Sequence, residues 1–194
     1  MYKLCKTEQS AMRQREIENV LFETLKKKNY EDITITELCE KLNMPRKAFY
    51  RYFDGKDSAV TALIEHKMLE YDGFGPAAMM EKRTINKEIE RFFTFWYENR
   101  ELLETLEKNG LLSRIFESAV NFPIKDFISM TKYLPDDSDW AKERIFRFAT
   151  CGLMFEAVNW YKDGFKTSVS DMAEICCRML KQPLFPNLDK FGTL

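Results

Sequence analysis

Apolar side chains recur at intervals of three and four residues along most of this chain. In the first such segment, from about residue 9 to residue 28, one face holds Ile17, Val20, Leu21, Thr24 and Leu25. This is the spacing of an amphipathic α-helix that buries one side. Only 7 glycines and 6 prolines occur in 194 residues, so long helices are easily accommodated. The pattern predicts an all-α fold.

Two short helices joined by a tight turn are predicted next. Thr34, followed three residues later by Glu37, is the capping-box pattern that starts a helix. The segment Asn43-Met44-Pro45 ends that helix, because Asn accepts a turn conformation and Pro can begin a new helix. The new helix is expected from about Arg46 to Phe53. This arrangement is typical of a helix-turn-helix.

The second of these helices has the two-sided composition that DNA reading requires. The apolar side chains of the pair, expected to face inward, are Leu38, Leu42, Phe49 and Phe53. The polar and basic side chains, expected to face outward, are Arg46, Lys47, Tyr50 and Arg51. In helix-turn-helix docking, the N-terminal residues of the second helix meet base edges in the major groove. Arg and Lys there can bind guanine acceptors or phosphates.

Residues from about 10 to 60 resemble the N-terminal domain of TetR-family regulators. The residues that carry the resemblance are Ile17, Thr34, Glu37-Leu38-Cys39, Ala48-Phe49-Tyr50-Arg51-Tyr52-Phe53 and Lys56-Asp57. The match covers about a quarter of the chain, and it is the combination that is specific. It implies a three-helix, helix-turn-helix DNA-binding domain followed by a helical domain that binds an effector and dimerises.

The resemblance also implies roles for individual residues. Tyr50 and Lys56 match positions that contact phosphates, whereas Arg46, Lys47 and Ala48 match positions that meet bases. Thr34 and Thr36 fall where the bracing helix approaches the DNA backbone, and the outward-facing Arg51 completes the predicted DNA-binding set.

Three residues depart from the family pattern. Asn43 replaces a turn glycine, Pro45 replaces a serine, and Lys47 replaces a glycine or another small residue. The change at Pro45 removes a hydroxyl that could cap a helix or contact phosphate, and the change at Lys47 adds positive charge.

A boundary between two domains is predicted near residue 72. The helix-turn-helix domain is assigned to residues 1–60, and a connecting helix, capped by Asp57, reaches about residue 71. Gly73, Gly75 and Pro76 mark the break. Residues 72–194 would form the effector-binding and dimerisation domain.

The chain has more aromatic side chains than a small core usually needs, with 16 phenylalanines alone. Most are expected in the core, and one or two can line a pocket for a small-molecule effector. The candidates for that pocket are Phe92, Trp96, Phe116, Phe127, Met130 and Phe155.

Two C-terminal helices, from about 140 to 162 and from about 170 to 181, are the predicted dimer surface. The side chains that share a packing face by their three- and four-residue spacing are Phe146, Ala149, Leu153, Ala157, Trp160, Met172, Ile175 and Met179. The competing interpretation is that this face packs only inside one chain.

Several other classes of protein find no support in the sequence. The five cysteines are odd in number and irregularly spaced, which favours reduced thiols in a cytosol. One histidine and no CxxC motif argue against a zinc site, and no pattern calls for a cofactor. No apolar run approaches the roughly 20 residues of a membrane span, and no signal peptide is visible. We therefore expect a cytoplasmic protein.

The function predicted is a ligand-responsive, homodimeric repressor that reads a palindromic operator in double-stranded DNA. Residues 1–60 carry 12 Lys and Arg against 10 Asp and Glu, so local placement of charge matters more than the total. Two alternatives stay open: a helix-turn-helix-derived module that binds proteins rather than DNA, and a helical enzyme, which lacks a nucleophile–base pair or a phosphate loop.

Overall fold

The structure is a computed structural model that describes residues 2–71, 84–121 and 138–181. The predicted pocket residues Phe127 and Met130 lie outside these ranges.

The described ranges are helical, apart from turns and one isolated bridge between Tyr2 and Phe53. The helices of the N-terminal part are α1 (Glu8–Leu25), α2 (Ile35–Lys41), α3 (Arg46–Phe49) and α4 (Lys56–Leu69), with a 3-10 turn at Tyr30–Asp32. The later helices are α5 (Ile85–Glu98), α6 (Arg100–Lys108), α7 (Arg114–Asn121), α8 (Asp139–Lys162) and α9 (Val169–Lys181). The predicted all-α fold is confirmed.

The chain forms two compact units. The first unit comprises Met1–Glu70 together with Glu101–Phe122, and the second comprises Tyr71–Arg100 together with Pro123–Leu194. Helices α6 and α7 thus pack largely with the N-terminal helices. The functional division predicted near residue 72 stays a prediction.

In the first unit, α1 and α4 are held together by an apolar core with one polar contact inside it. Ile17 and Leu21 of α1 and Ile64 of α4 are fully buried. Beside them, Nδ1 of His66 lies 2.9 Å from both carboxylate oxygens of Glu18, whose side chain is also buried. The predicted amphipathic first helix is therefore present, with its apolar face inward.

The start of α2 and the turn after it have the cap and the turn conformation predicted from the local sequence, although the Glu37 side chain has other partners. The Oγ1 of Thr34 accepts the N–H of Glu37 at 3.1 Å and caps α2. The Glu37 carboxylate accepts instead from Lys28 and Lys41, at 2.8 Å and 3.1 Å. Asn43 takes a left-handed conformation, with φ of 47°. Such a conformation is one that Asn tolerates better than most side chains.

Helix α3 is shorter than the predicted Arg46–Phe53, because its α-helical part ends at Phe49. Beyond that residue, the N–H of Tyr52 bonds to the carbonyl of Phe49 at 2.9 Å, an i→i+3 contact. The N–H of Phe53 bonds to the same carbonyl at 3.1 Å, and the Phe53 side chain is fully buried. The prediction that Asp57 caps α4 is wrong. The N-cap is Gly55, whose N–H donates to Ser58 at 3.2 Å.

The second unit is organised around α5 and α9, with α8 beside α5. Phe93 and Trp96 of α5 are buried, and Phe93 packs edge-on against Trp160 of α8 at 5.6 Å. Trp160 also donates its indole N–H to the carbonyl of Thr167 at 2.8 Å. Gly164, with φ of 72°, follows the end of α8 in the left-handed conformation that glycine adopts readily.

Candidate nucleic-acid interface

The turn and α3 separate an apolar side from a charged side. Phe49 is fully buried, whereas Arg46 and Lys47 at the start of α3 are exposed. Arg51 is exposed just beyond the helix, and Ala48 is half-buried. The sequence therefore places a basic surface on the side of α3 that faces away from the core.

Tyr50 lies on this surface with 40% of its area exposed. Its hydroxyl accepts a hydrogen bond from the Arg46 guanidinium at 3.3 Å, and this contact raises the pKa of Arg46 above its ordinary value. The phenol ring also contacts the buried Phe49 edge-on at 5.7 Å. Tyr50 thus orients Arg46 through its hydroxyl, and its own ring packs against Phe49.

Helix α2 presents Thr34 and Thr36 at its N-terminal end, and both are exposed. Thr34 is already engaged as the cap, so only part of its hydroxyl capacity is available to a phosphate. Arg13 of α1 donates to the carbonyl of Leu42 at 3.2 Å and braces the C-terminal end of α2.

Lys56, predicted to contact phosphate, lies in a more constrained place than its sequence pattern indicates. Its ammonium donates to the carbonyl oxygens of Tyr30 and Ile33, the second at 2.9 Å. It also lies 4.0 Å from the centroid of the Tyr30 ring. Lys56 therefore joins the start of α4 to the turn that precedes α2.

A polar cluster around Tyr30 was missed by the sequence reasoning. The Tyr30 hydroxyl donates to Asp57 at 2.9 Å, and Asp57 also pairs with Arg114 of α7. The Tyr30 N–H donates to the side-chain oxygen of Asn109 at 2.7 Å, while the Asn109 amide donates to the carbonyl of Leu25. These partners are 27 to 84 residues apart, so no local spacing reveals them.

The predicted pocket residues occupy different environments. Phe92 and Trp96 are neighbours on α5, with ring centroids 6.4 Å apart, and Trp96 is buried. Phe155 of α8 is 55% exposed, and Phe116 belongs to the first unit. Their role in ligand binding stays a prediction.

The predicted dimer residues also divide by burial. Ala157, Trp160 and Met172 are buried within the single chain, and Phe146, Ala149 and Leu153 are half-buried. Ile175 and Met179 of α9 are exposed. The large apolar side chains exposed on α8 are Trp140, Ile145, Phe148 and Phe155.

The cysteines of the chain are free thiols, and Cys176 and Cys177 are buried. Burial raises the pKa of the Cys176 thiol to about 11, with a smaller contribution from Glu156. Within the described ranges, no helix has the length and apolarity to cross a bilayer, and no group of side chains has the composition of a metal site.

Comparisons with known proteins give similarity at the level of fold. No protein-family model matches the chain, and no curated protein does. A solved structure of the fatty acid degradation regulator FadR from Bacillus halodurans aligns with a TM-score of 0.57 and 13% identity, over 93% of this chain and 98% of that chain.

Two further structures align less closely. A dihydroxyacetone kinase operon activator, DhaS, has a TM-score of 0.47 and 14% identity, over 86% of this chain and 93% of that one. A TetR-family transcriptional regulator from Streptomyces coelicolor has a TM-score of 0.49 and 16% identity, over 88% and 79%. The chain thus shares its all-α fold with the Bacillus regulator.

Proposed function

We propose that this chain is a DNA-binding transcription regulator whose helix α3 enters the major groove. The observation that carries the proposal is that α3 has two different sides. Its Phe49 is buried, while Arg46 and Lys47 of α3 and Arg51 just beyond it are exposed. A short helix braced by a second one and basic on its outer face is the arrangement that helix-turn-helix docking uses.

The roles of the exposed residues follow from their chemistry. Arg46 and Lys47, in the first turn of α3, meet base edges, where Arg can bind the two acceptors of guanine. Tyr50, Thr34 and Thr36 donate to phosphates. Lys56 has three ammonium donors, of which two serve backbone carbonyls. One donor is left for a phosphate, so Lys56 acts there as a fixed cation.

The active form is proposed to be a homodimer that reads a palindromic operator. One helix-turn-helix contacts few base pairs, whereas two half-sites in fixed register supply specificity. Ile145, Phe148 and Phe155 follow each other on α8 at spacings of three and seven and are all exposed. A second copy of the chain would cover these side chains together with Ile175 and Met179 of α9, the exposed members of the predicted dimer set.

The second unit is proposed to bind a small-molecule effector that changes the separation of the two reading heads and so relieves repression. The predicted pocket side chains Phe92 and Trp96, whose ring centroids lie 6.4 Å apart, would contact an apolar part of such a ligand. The predicted cytoplasmic location belongs to this proposal.

A gel-shift titration with fragments of the source genome separates this proposal from its alternatives. The protein is expected to retard a few fragments at nanomolar concentration in the presence of excess random DNA. Retardation of no fragment at micromolar protein would favour a protein-interaction module or an enzyme instead. Retardation of every fragment alike would show DNA binding without the sequence preference that the proposal requires.

A further inference from the structure

The segment before α1 is hydrogen-bonded to the residues that follow α3. The backbone N–H of Lys3 donates to the carbonyl of Tyr52 at 2.9 Å, next to the bridge between Tyr2 and Phe53. We call residues 2–7 the N-terminal arm. It lies outside the segment whose sequence resembles a DNA-binding domain.

Side chains from two helices hold the arm in place. The Tyr2 hydroxyl donates to Glu65 of α4 at 2.6 Å, and burial, followed by this contact, raises the pKa of Tyr2. Gln14 of α1, which is buried, donates to the carbonyl of Lys3 at 3.1 Å and accepts from the Cys5 thiol at 3.2 Å. The arm is therefore positioned by contacts on both of its sides.

These contacts place the Lys3 ammonium at the C-terminal end of α3. Lys3 is exposed, and its Nζ donates to the carbonyl of Tyr50 at 3.0 Å. Arg46 donates to the hydroxyl of the same tyrosine. Tyr50 therefore contacts one cation through its backbone carbonyl and another through its side-chain hydroxyl. An ammonium has three donors, so two remain on Lys3 after the carbonyl contact.

We propose that Lys3 binds a DNA phosphate beside the one contacted by Tyr50, so that the N-terminal arm extends the DNA interface beyond the helix-turn-helix. The inference rests on the proposed function. It follows from position: a cation held 3.0 Å from the backbone of a phosphate-contacting residue meets the same strand when α3 docks. The alternative is a purely structural role, in which Lys3 only donates to a carbonyl at the end of α3, as cations near helix C-termini often do.

Salt-dependent binding to a selected operator distinguishes these roles. Lys3→Ala is compared with Lys3→Arg, which keeps the charge, and with Lys27→Ala as the matched control. Lys27 is an exposed lysine just beyond the opposite end of α1. The carbonyl of Lys3 accepts from Gln14, and α1 rises about 16 Å from Gln14 to Leu25 at 1.5 Å per residue, so the two lysines are well separated.

We expect Lys3→Ala to lower the slope of log K against log salt by about 0.9, the value for one phosphate contact. Lys3→Arg should restore the slope, and Lys27→Ala should leave it unchanged. A Lys3→Ala protein that melts at lower temperature but binds with the wild-type slope would establish the capping role and overturn the proposal. A wild-type protein that binds no DNA would overturn the proposed function itself, and this inference with it.

Discussion

The Lys56 ammonium donates to the backbone carbonyl of Tyr30 and lies 4.0 Å from the centroid of its ring. The same ammonium donates to the carbonyl of Ile33 at 2.9 Å. One side chain at the start of α4 thus fixes both ends of the 3-10 turn before α2. The turn before α2 is thus held by a lysine to which the family resemblance assigns only a phosphate contact.

Lys56→Ala is expected to weaken folding as well as DNA binding. It removes two charge-assisted hydrogen bonds, and we expect a loss of about 2 kcal/mol in the free energy of unfolding. Urea denaturation followed by circular dichroism measures it. Lys27→Ala should change stability by less than about 0.5 kcal/mol, as surface changes usually do. Equal stability of the two variants would show that the carbonyl contacts contribute nothing.

Acid should weaken the Tyr30–Asp57 contact. The hydrogen bond from Tyr30, assisted by Arg114, lowers the pKa of Asp57 below its ordinary value. A carboxyl with a lowered folded-state pKa stabilises the fold above its unfolded pKa of about 3.9, and that contribution is lost as pH falls further.

The matching variant is Asp57→Asn. Because Asp57 is exposed, we expect it to cost about 1 kcal/mol or less at pH 7 and to cost less at pH 3 than at pH 7. Urea midpoints at the two pH values measure this. A variant whose deficit is the same at both would assign the effect to something other than the charge of Asp57.

The α8 surface offers a test of assembly in which loss of folding is not expected. Phe148 is 72% exposed, so Phe148→Asp should leave the monomer folded. If a second copy covers this side chain, the variant should be monomeric by light scattering at micromolar concentration and should lose operator affinity at least 100-fold. Leu69→Asp, at an exposed position at the end of α4, is the control and should remain dimeric. A wild-type protein that is monomeric both free and on DNA would rule out the dimer.

Local chemistry was readable from the sequence where a residue's neighbours in the chain decide its conformation. The cap at Thr34 and the left-handed turn at Asn43 are of this kind, and both are present. The sequence does not predict where the Lys56 side chain points or where α3 ends. Both depend on backbone carbonyls and core side chains that other segments of the chain supply.

The α8 helix shows a second limit of sequence patterns. Its apolar residues occupy several sides of the helix. The three- and four-residue spacing shows which residues share a face, but it does not show which face is buried within a single chain. Ala157 and Trp160 are covered within one chain, whereas Ile145 and Phe148 are exposed. The side of α8 that carries Trp160 packs against Phe93 of α5.

Whether α3 reads DNA sequence is tested most directly by the ratio of the protein's affinities for selected and scrambled duplexes. Duplexes enriched from a random pool by the wild-type protein should bind at least about 10³-fold more tightly than scrambled ones at physiological salt. Arg46→Ala should lose about 1–3 kcal/mol on the selected duplex, a 5- to 150-fold weakening, with a much smaller loss on the scrambled one. Equal affinity of the wild-type protein for both duplexes would contradict the account, and equal losses on both in the variant would make Arg46 a phosphate contact.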